Sequence, residues 1–433
     1  MASSPQLTRE LGVLGAIVMG LGSIIGTGVF VSIGIAAGIA GPAVILAVAI
    51  GALVAIFNGL NSAQLAANHA VSGGTYEYGY RYLNPWLGFT AGWMFLVAKM
   101  ASAATAALGF AGYLLNAFGV SAQNWIVPIA LVTVTIFTLI VLSGIKRSNF
   151  ANIIIVSITL LSLSFFIIAG LPILLSAGSS NLTPFFQRPN TESNNVIQSI
   201  LHASALMFVA YTGYGRIATL GEEVREPRKT IPKAIIITMI LTMLLYISVA
   251  IVSVGTVGAA ALSQAAGTKA APLEVAARSF TIPGSPQILA IGAITAMLGV
   301  LLNLILGLSR VVLAMGRRRD LPIIFTRLNR GSNTPFWAVI LVGVAIAGLV
   351  LIGNVKTTWS FSAFSVLIYY AITNFAALKL PKEERLYPKW LGWMGLLACL
   401  FLAFWVERQI WLTGLMLIVV GLIWHYVAQR LNR

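Results

Sequence analysis

The atoms in this chain best placed to do chemistry are peptide groups rather than strong acids or bases. Residues 22–30 read Gly-Ser-Ile-Ile-Gly-Thr-Gly-Val-Phe inside an apolar run over about 11–39. Glycine and small hydroxyl residues are weak helix formers, so this stretch predicts an interrupted helix. In a bilayer, irregular backbone survives only where it lines a cavity or is buried in protein. Such an interruption leaves free carbonyls on one half-helix and free amides on the other. Together they can hold an ammonium and a carboxylate without any charged side chain. A second interruption, Ala-Tyr-Thr-Gly-Tyr-Gly at residues 210–215, lies five apolar segments later. Two interrupted segments at matching positions point to a secondary transporter built from inverted repeats.

One titratable side chain, Lys99, stands deep in an apolar segment. It lies roughly 20 Å along its helix, too deep to reach water easily, and an intramembrane lysine marks function by default. Small neighbours at helical spacing, Ser102, Ala103 and Ala106, suit a pocket wall. Desolvation penalises an ammonium there, which makes Lys99 a candidate both for substrate binding and for proton coupling. Asn303, in a later apolar run, is a further candidate for facing the cavity. Ser157 and Thr159 supply too few oxygens for a sodium site. Arg216 is expected to pair with Glu222 or Glu223.

The elements that must position these residues follow from composition. The chain is 58% hydrophobic and 9% charged, where a soluble domain carries roughly 25% charged residues. Twelve apolar runs are long enough to span a bilayer: about 11–38, 42–68, 86–116, 124–144, 150–175, 196–221, 231–257, 286–315, 335–353, 358–379, 389–406 and 409–428. They predict one all-helical transmembrane domain over 1–433, with repeats at about 11–175 and 196–379 and two added helices at about 389–428. Basic residues cluster in alternate connections, as at Lys146, Arg147 and Arg317 to Arg319, which places both termini in the cytoplasm of a multi-pass plasma- or inner-membrane protein. The lipid bilayer, rather than nucleic acid, is the partner that this net charge of +16 implies. Trp86, Trp359, Trp390 and Trp411 fall near span ends, where interfacial anchors are expected. The stretch 259–286 carries three prolines and is expected to form a short helix on the outer surface.

Several motifs then look familiar. Residues 22–30 resemble the first-helix signature of the amino acid–polyamine–organocation permeases. Gly73, Gly74, Thr75 and Tyr76, followed by Gly88, Gly92 and Trp93, resemble the loop and third-helix entry of the same family. Gly221, Glu222 and Glu223 with Pro227 and Arg228, and Ser309 and Arg310 with Leu321 and Pro322, resemble two later signatures in order. The resemblance implies a leucine-transporter-like five-plus-five fold working by alternating access. It also implies that Thr27 and the amides of Gly26 and Gly28 receive the substrate carboxylate. The carbonyls of Ile24, Val209 and Thr212 would receive its ammonium. Apart from the resemblance, Tyr211, Tyr214, Tyr369 and Tyr370 read mostly as lipid-facing or core residues, with Tyr211 and Tyr214 as candidates for gating the pocket. This family's proton-coupled members can carry a lysine in the fifth span; here the comparable stretch, 152–159, has none.

No carboxylate lies inside any predicted span, which disfavours cationic amino acids and polyamines beside Lys99. The expectation is therefore a permease, not an enzyme, for neutral amino acids, with proton coupling or exchange. The alternatives are an acidic amino acid or organic-amine permease, or a non-transporting amino acid sensor. No cofactor or metal is called for: His69, His202 and His425 stand apart, and no Lys-Ser/Thr follows Gly28 to make a phosphate loop. Oligomeric state is not encoded in any motif.

Overall fold

A computed structural model describes residues 11–69, 73–120, 123–144, 149–186, 195–219, 224–329 and 334–431. Among these residues the chain is helical, with isolated β-bridges at Leu11–Val224 and Leu328–Pro335 and no strand. Among the described residues, nine helical stretches are long and apolar enough to cross a membrane, and two shorter apolar ones accompany them.

The first stretch holds α1 (Val13–Ile24), a π-helical turn (Gly28–Ser32), α2 (Ile33–Ala40) and α3 (Val44–Asn68). Its 56 residues are too many for a single crossing at about 1.5 Å per residue. The chain reverses at Gly41, whose φ of 62° suits a residue without Cβ. A short helix, α4 (Thr75–Tyr82), leads to α5 (Pro85–Ala117), which opens with a proline at its first turn and an Asn84 cap. Next come α6 (Ile126–Leu142), α7 (Asn149–Ala177), α8 (Val196–Tyr211) and the single turn α9 (Gly215–Ala218).

The helix α10 (Pro227–Thr268) is kinked at Gly258, with φ 79° and ψ 159°, so its last ten residues form a separate arm. That arm and α11 (Pro272–Ala277) make the short surface helices expected over 259–286. The chain ends with α12 (Ser285–Arg317), α13 (Phe336–Val350), α14 (Val355–Leu378), α15 (Lys389–Ala403) and α16 (Arg408–Leu431).

Small residues let α5 sit against α14 and α12. Hydroxyls then bond across the seam, Ser102 to Ser362 at 2.8 Å and Thr105 to Thr358 at 2.8 Å. A second seam joins α3, α14 and α15. Asn374 donates to Asn58 at 2.7 Å, Asn61 donates to Asn374 at 2.8 Å, and buried Cys399 lies against the same amides. The burial pattern separates core from periphery: α14 is 78% buried over its apolar window, α16 only 22%. The helices carrying the interruptions, with α5 and α14, form the centre.

Trp86 and Trp390 are exposed near helix ends, as interfacial anchors should be. Trp359 is not an anchor. It is 3% exposed and donates to the Leu206 carbonyl at 3.0 Å, because α14 packs its first turn on α8.

Candidate functional site

The first interruption is a true loss of helix. Ile24 ends α1, and Ile25 takes an extended conformation with ψ 109°. Helical turns resume at Thr27 with wide π geometry over Gly28–Ser32. The Gly26 carbonyl accepts from the amides of Val29 and Phe30, both at 3.2 Å. Thr27 is 4% exposed, and its hydroxyl has no hydrogen-bond partner. An unsatisfied buried hydroxyl costs about 1–3 kcal/mol, so this one is poised for an incoming acceptor.

The second interruption is milder. Tyr211 ends α8, and Thr212–Tyr214 form a 3-10 turn that leads directly into α9. The expectation of an unwound stretch at 210–215 is corrected here, since near-helical torsions persist and only the hydrogen-bond register tightens. Thr212 caps the turn by bonding back to the Val209 carbonyl at 2.8 Å.

The two interruptions touch. A Cβ built on Gly213 would fall 2.2 Å from the Ser23 carbonyl oxygen and 2.5 Å from the Ile24 nitrogen. One on Gly28 would fall 2.6 Å from the Ala210 Cβ, and one on Gly26 would fall 2.7 Å from Val300 of α12. Glycine here serves close backbone approach rather than unusual torsion.

Lys99 comes to the same place. Its Nζ donates to the Thr212 hydroxyl at 3.0 Å, so this mid-helix lysine reaches the second turn from α5. Ser157 is exposed, and Thr159 bonds to its own helix at Ile155, 2.7 Å away, so this pair makes no cation site.

Three of the anticipated carbonyls carry hydroxyl donors in this conformation. Tyr246 of α10 donates to the Ile24 carbonyl at 2.9 Å and stands 3.5 Å from that of Ala210, pinning the two interruptions together. Tyr370 of α14 donates to the Thr212 carbonyl at 3.3 Å, and Thr212 itself occupies Val209. Tyr214 is buried with its hydroxyl unpartnered and its ring 5.4 Å from Tyr370. Asn303 stands apart. It is half-buried with a free amide nitrogen, and Val300, not Asn303, meets Gly26.

Sequence reasoning missed Tyr246, a lone phenol in an aliphatic run, and left Tyr370 among core aromatics. It also missed a buried acid, Asp320. Tyr76 and Tyr80 of α4 donate to its carboxylate at 2.6 Å each, and His425 of α16 stands 3.1 Å away. Burial and that carboxylate hold the Tyr76 and Tyr80 hydroxyls well above the usual phenol range. The anticipated partners of Arg216, Glu222 and Glu223, lie outside the described residues. No cluster of three metal-ligating side chains occurs among the described residues.

Comparison with known proteins agrees on the class. The amino acid permease family matches residues 15–431. An uncharacterized transporter of Mycobacterium tuberculosis is 37% identical over 428 residues, spanning 99% of this chain and 93% of the relative. A branched-chain amino acid permease of Bacillus subtilis is 27% identical over 455 residues, 98% and 94% of the two chains. The Arabidopsis thaliana protein named cationic amino acid transporter 3, mitochondrial, is 27% identical over 388 residues, 86% and 62% of the two chains.

Proposed function

The chain belongs to the amino acid permease family, and from that premise we propose that it is a secondary transporter of neutral L-amino acids, working by alternating access. The observation that carries the reading is the direct contact of the two interruptions, with Lys99 as the cation reaching them. The substrate carboxylate goes to the Thr27 hydroxyl and the amides of Gly26 and Gly28. Its ammonium takes the Ile24, Val209 and Thr212 carbonyls after displacing the tyrosine and threonine hydroxyls that fill them. Tyr214 gates, Lys99 positions Thr212 and exchanges the coupling proton, and Asn303 lines the path along α12.

The half-buried Lys99 ammonium at the site repels a second positive charge and disfavours cationic substrates. The branched-chain permease among the relatives is consistent with a neutral side chain. Lys99 also favours one second reading, an acidic amino acid whose side-chain carboxylate pairs with it. We place twelve spans in a five-plus-five inverted repeat with two added helices, both termini in the cytoplasm and the protein in the plasma or inner membrane.

Uptake of labelled alanine and leucine into proteoliposomes, with pH and sodium gradients imposed separately, tests this reading. The proposal expects saturable uptake driven by the pH gradient or by exchange. Binding without flux would support a sensor, and strong inhibition by arginine would contradict the assigned selectivity.

A further inference from the structure

Outside the two interruptions, a second buried carboxylate lies on the short helix α11. Glu274 is 1% exposed, and its Oε2 has no hydrogen bond. Its Oε1 stands 3.7 Å from the Arg278 guanidinium, an ion pair beyond hydrogen-bond length. That guanidinium donates instead to the Asn116 carbonyl and side-chain oxygens of α5, at 3.3 and 3.1 Å. The other titratable groups facing Glu274 are Lys269, at the end of the α10 arm, and Tyr113 of α5. Tyr113 donates to the Phe30 carbonyl in the π turn at 2.7 Å, so the carboxylate adjoins the helix that follows the first interruption. The arm is fitted closely onto that helix. Cβ atoms on Gly34 and Gly38 would lie 2.7 Å from Pro272 and 2.1 Å from Ser263.

We propose that Glu274, beside Arg278 and Asn116, is a proton-responsive lock that sets how firmly the α10 arm and α11 close over the first interruption. An ionised carboxylate with one distant partner is poorly accommodated in this closed position, whereas a protonated one is not. Burial pushes the Glu274 carboxyl up to about 6, with Asn116 and Arg278 opposing the shift. Once the arm lifts into water the carboxyl returns to its ordinary value. The closed form therefore binds the proton more tightly. Acid on that face favours closure, and the preference is lost as pH rises through 6, by at most about thirtyfold. A cavity of about 160 Å³ is lined by Asn116, Lys269 and Arg278 together with exposed Gly119 and Gln123.

The meaning of this lock in a transport cycle rests on the transporter reading, but its test does not, because accessibility is read without substrate. Ala271, fully buried beside α11, is replaced by cysteine in a Cys399→Ala background and labelled in sealed vesicles with a membrane-impermeant maleimide. Labelling rates are compared with those of the same chain carrying Glu274→Gln, so that the intrinsic pH dependence of the thiol cancels. The expected ratio is about fourfold at pH 5 and reaches about thirtyfold by about pH 7.5. Glu274→Asp should keep a pH-dependent ratio, and Arg278→Gln should move the transition to higher pH. These two variants carry the test if the glutamine variant does not fold. A ratio that does not change with pH, or labelling confined to the face that carries the termini, overturns the proposal.

Discussion

The two interruptions differ in how their threonine hydroxyls are used. At the first, Ile25 is extended and the Thr27 hydroxyl has no partner. At the second, the 3-10 turn is closed by Thr212 on Val209, by Tyr370 on Thr212 and by Lys99 on the Thr212 hydroxyl. An unsatisfied threonine hydroxyl invites a ligand, while a satisfied one must be released to receive it. We read the first as the fixed half of the substrate site and the second as the half that switches.

Gly213 is where the two halves meet, and it should tolerate change least. A Cβ there strikes backbone that cannot rotate away, at 2.2 Å. Gly213→Ala is expected to cost about 3 kcal/mol or more of packing and to cut uptake at least a hundredfold. Wild-type uptake from this variant would dissolve the claim that the halves touch in the working cycle.

Lys99→Ala removes a charged hydrogen-bond donor from the switching half, a contact worth about 1.5–3 kcal/mol. Uptake should fall at least tenfold and lose most of its pH dependence. An unchanged pH profile would remove Lys99 from coupling.

Thr27→Val and Thr212→Val sharpen the contrast. Valine is close to threonine in shape but lacks the hydroxyl. At Thr27 the loss should appear as a KM rise of about fivefold, from a hydrogen bond of about 1 kcal/mol. At Thr212 it should appear mainly in the rate and its pH dependence, through Lys99. Identical behaviour of the two variants would erase the distinction.

The smallest effect is expected at Tyr246. Its hydroxyl competes with the substrate ammonium for the Ile24 carbonyl, while its ring packs on Tyr211 with centroids 5.0 Å apart. Tyr246→Phe keeps the ring and should lower KM by about fivefold or less. A raised KM would mean that the phenol helps to hold substrate instead.

The long helices were legible in the sequence as extended apolar runs, several of them bounded by glycine, proline or an asparagine cap, as at Gly41, Pro85 and Asn354. The first interruption was legible because Gly26 and Gly28, flanking Thr27, weaken the helix where α1 ends. The second was not, because Thr212 supplies its own cap and the same glycines permit a tight turn as readily as an open one. Tyr246, Tyr370 and the Asp320 cluster were invisible for another reason. Their contacts join residues 100 to 250 positions apart, and no local pattern marks one tyrosine among many as the donor. Glu274 escaped notice because its burial on a short surface helix comes from the packing of α11 on α10, α12 and α2, not from its neighbours in the chain.

The most direct measurement is competition for uptake by half-substrates. Proteoliposomes that accumulate a labelled neutral amino acid are challenged with the unlabelled amino acid, its decarboxylated amine and its deaminated acid. If the interruptions grip both ends of a zwitterion, only the intact amino acid competes at comparable concentration. Equal competition by the amine alone would contradict that picture and make the chain an organic-amine permease.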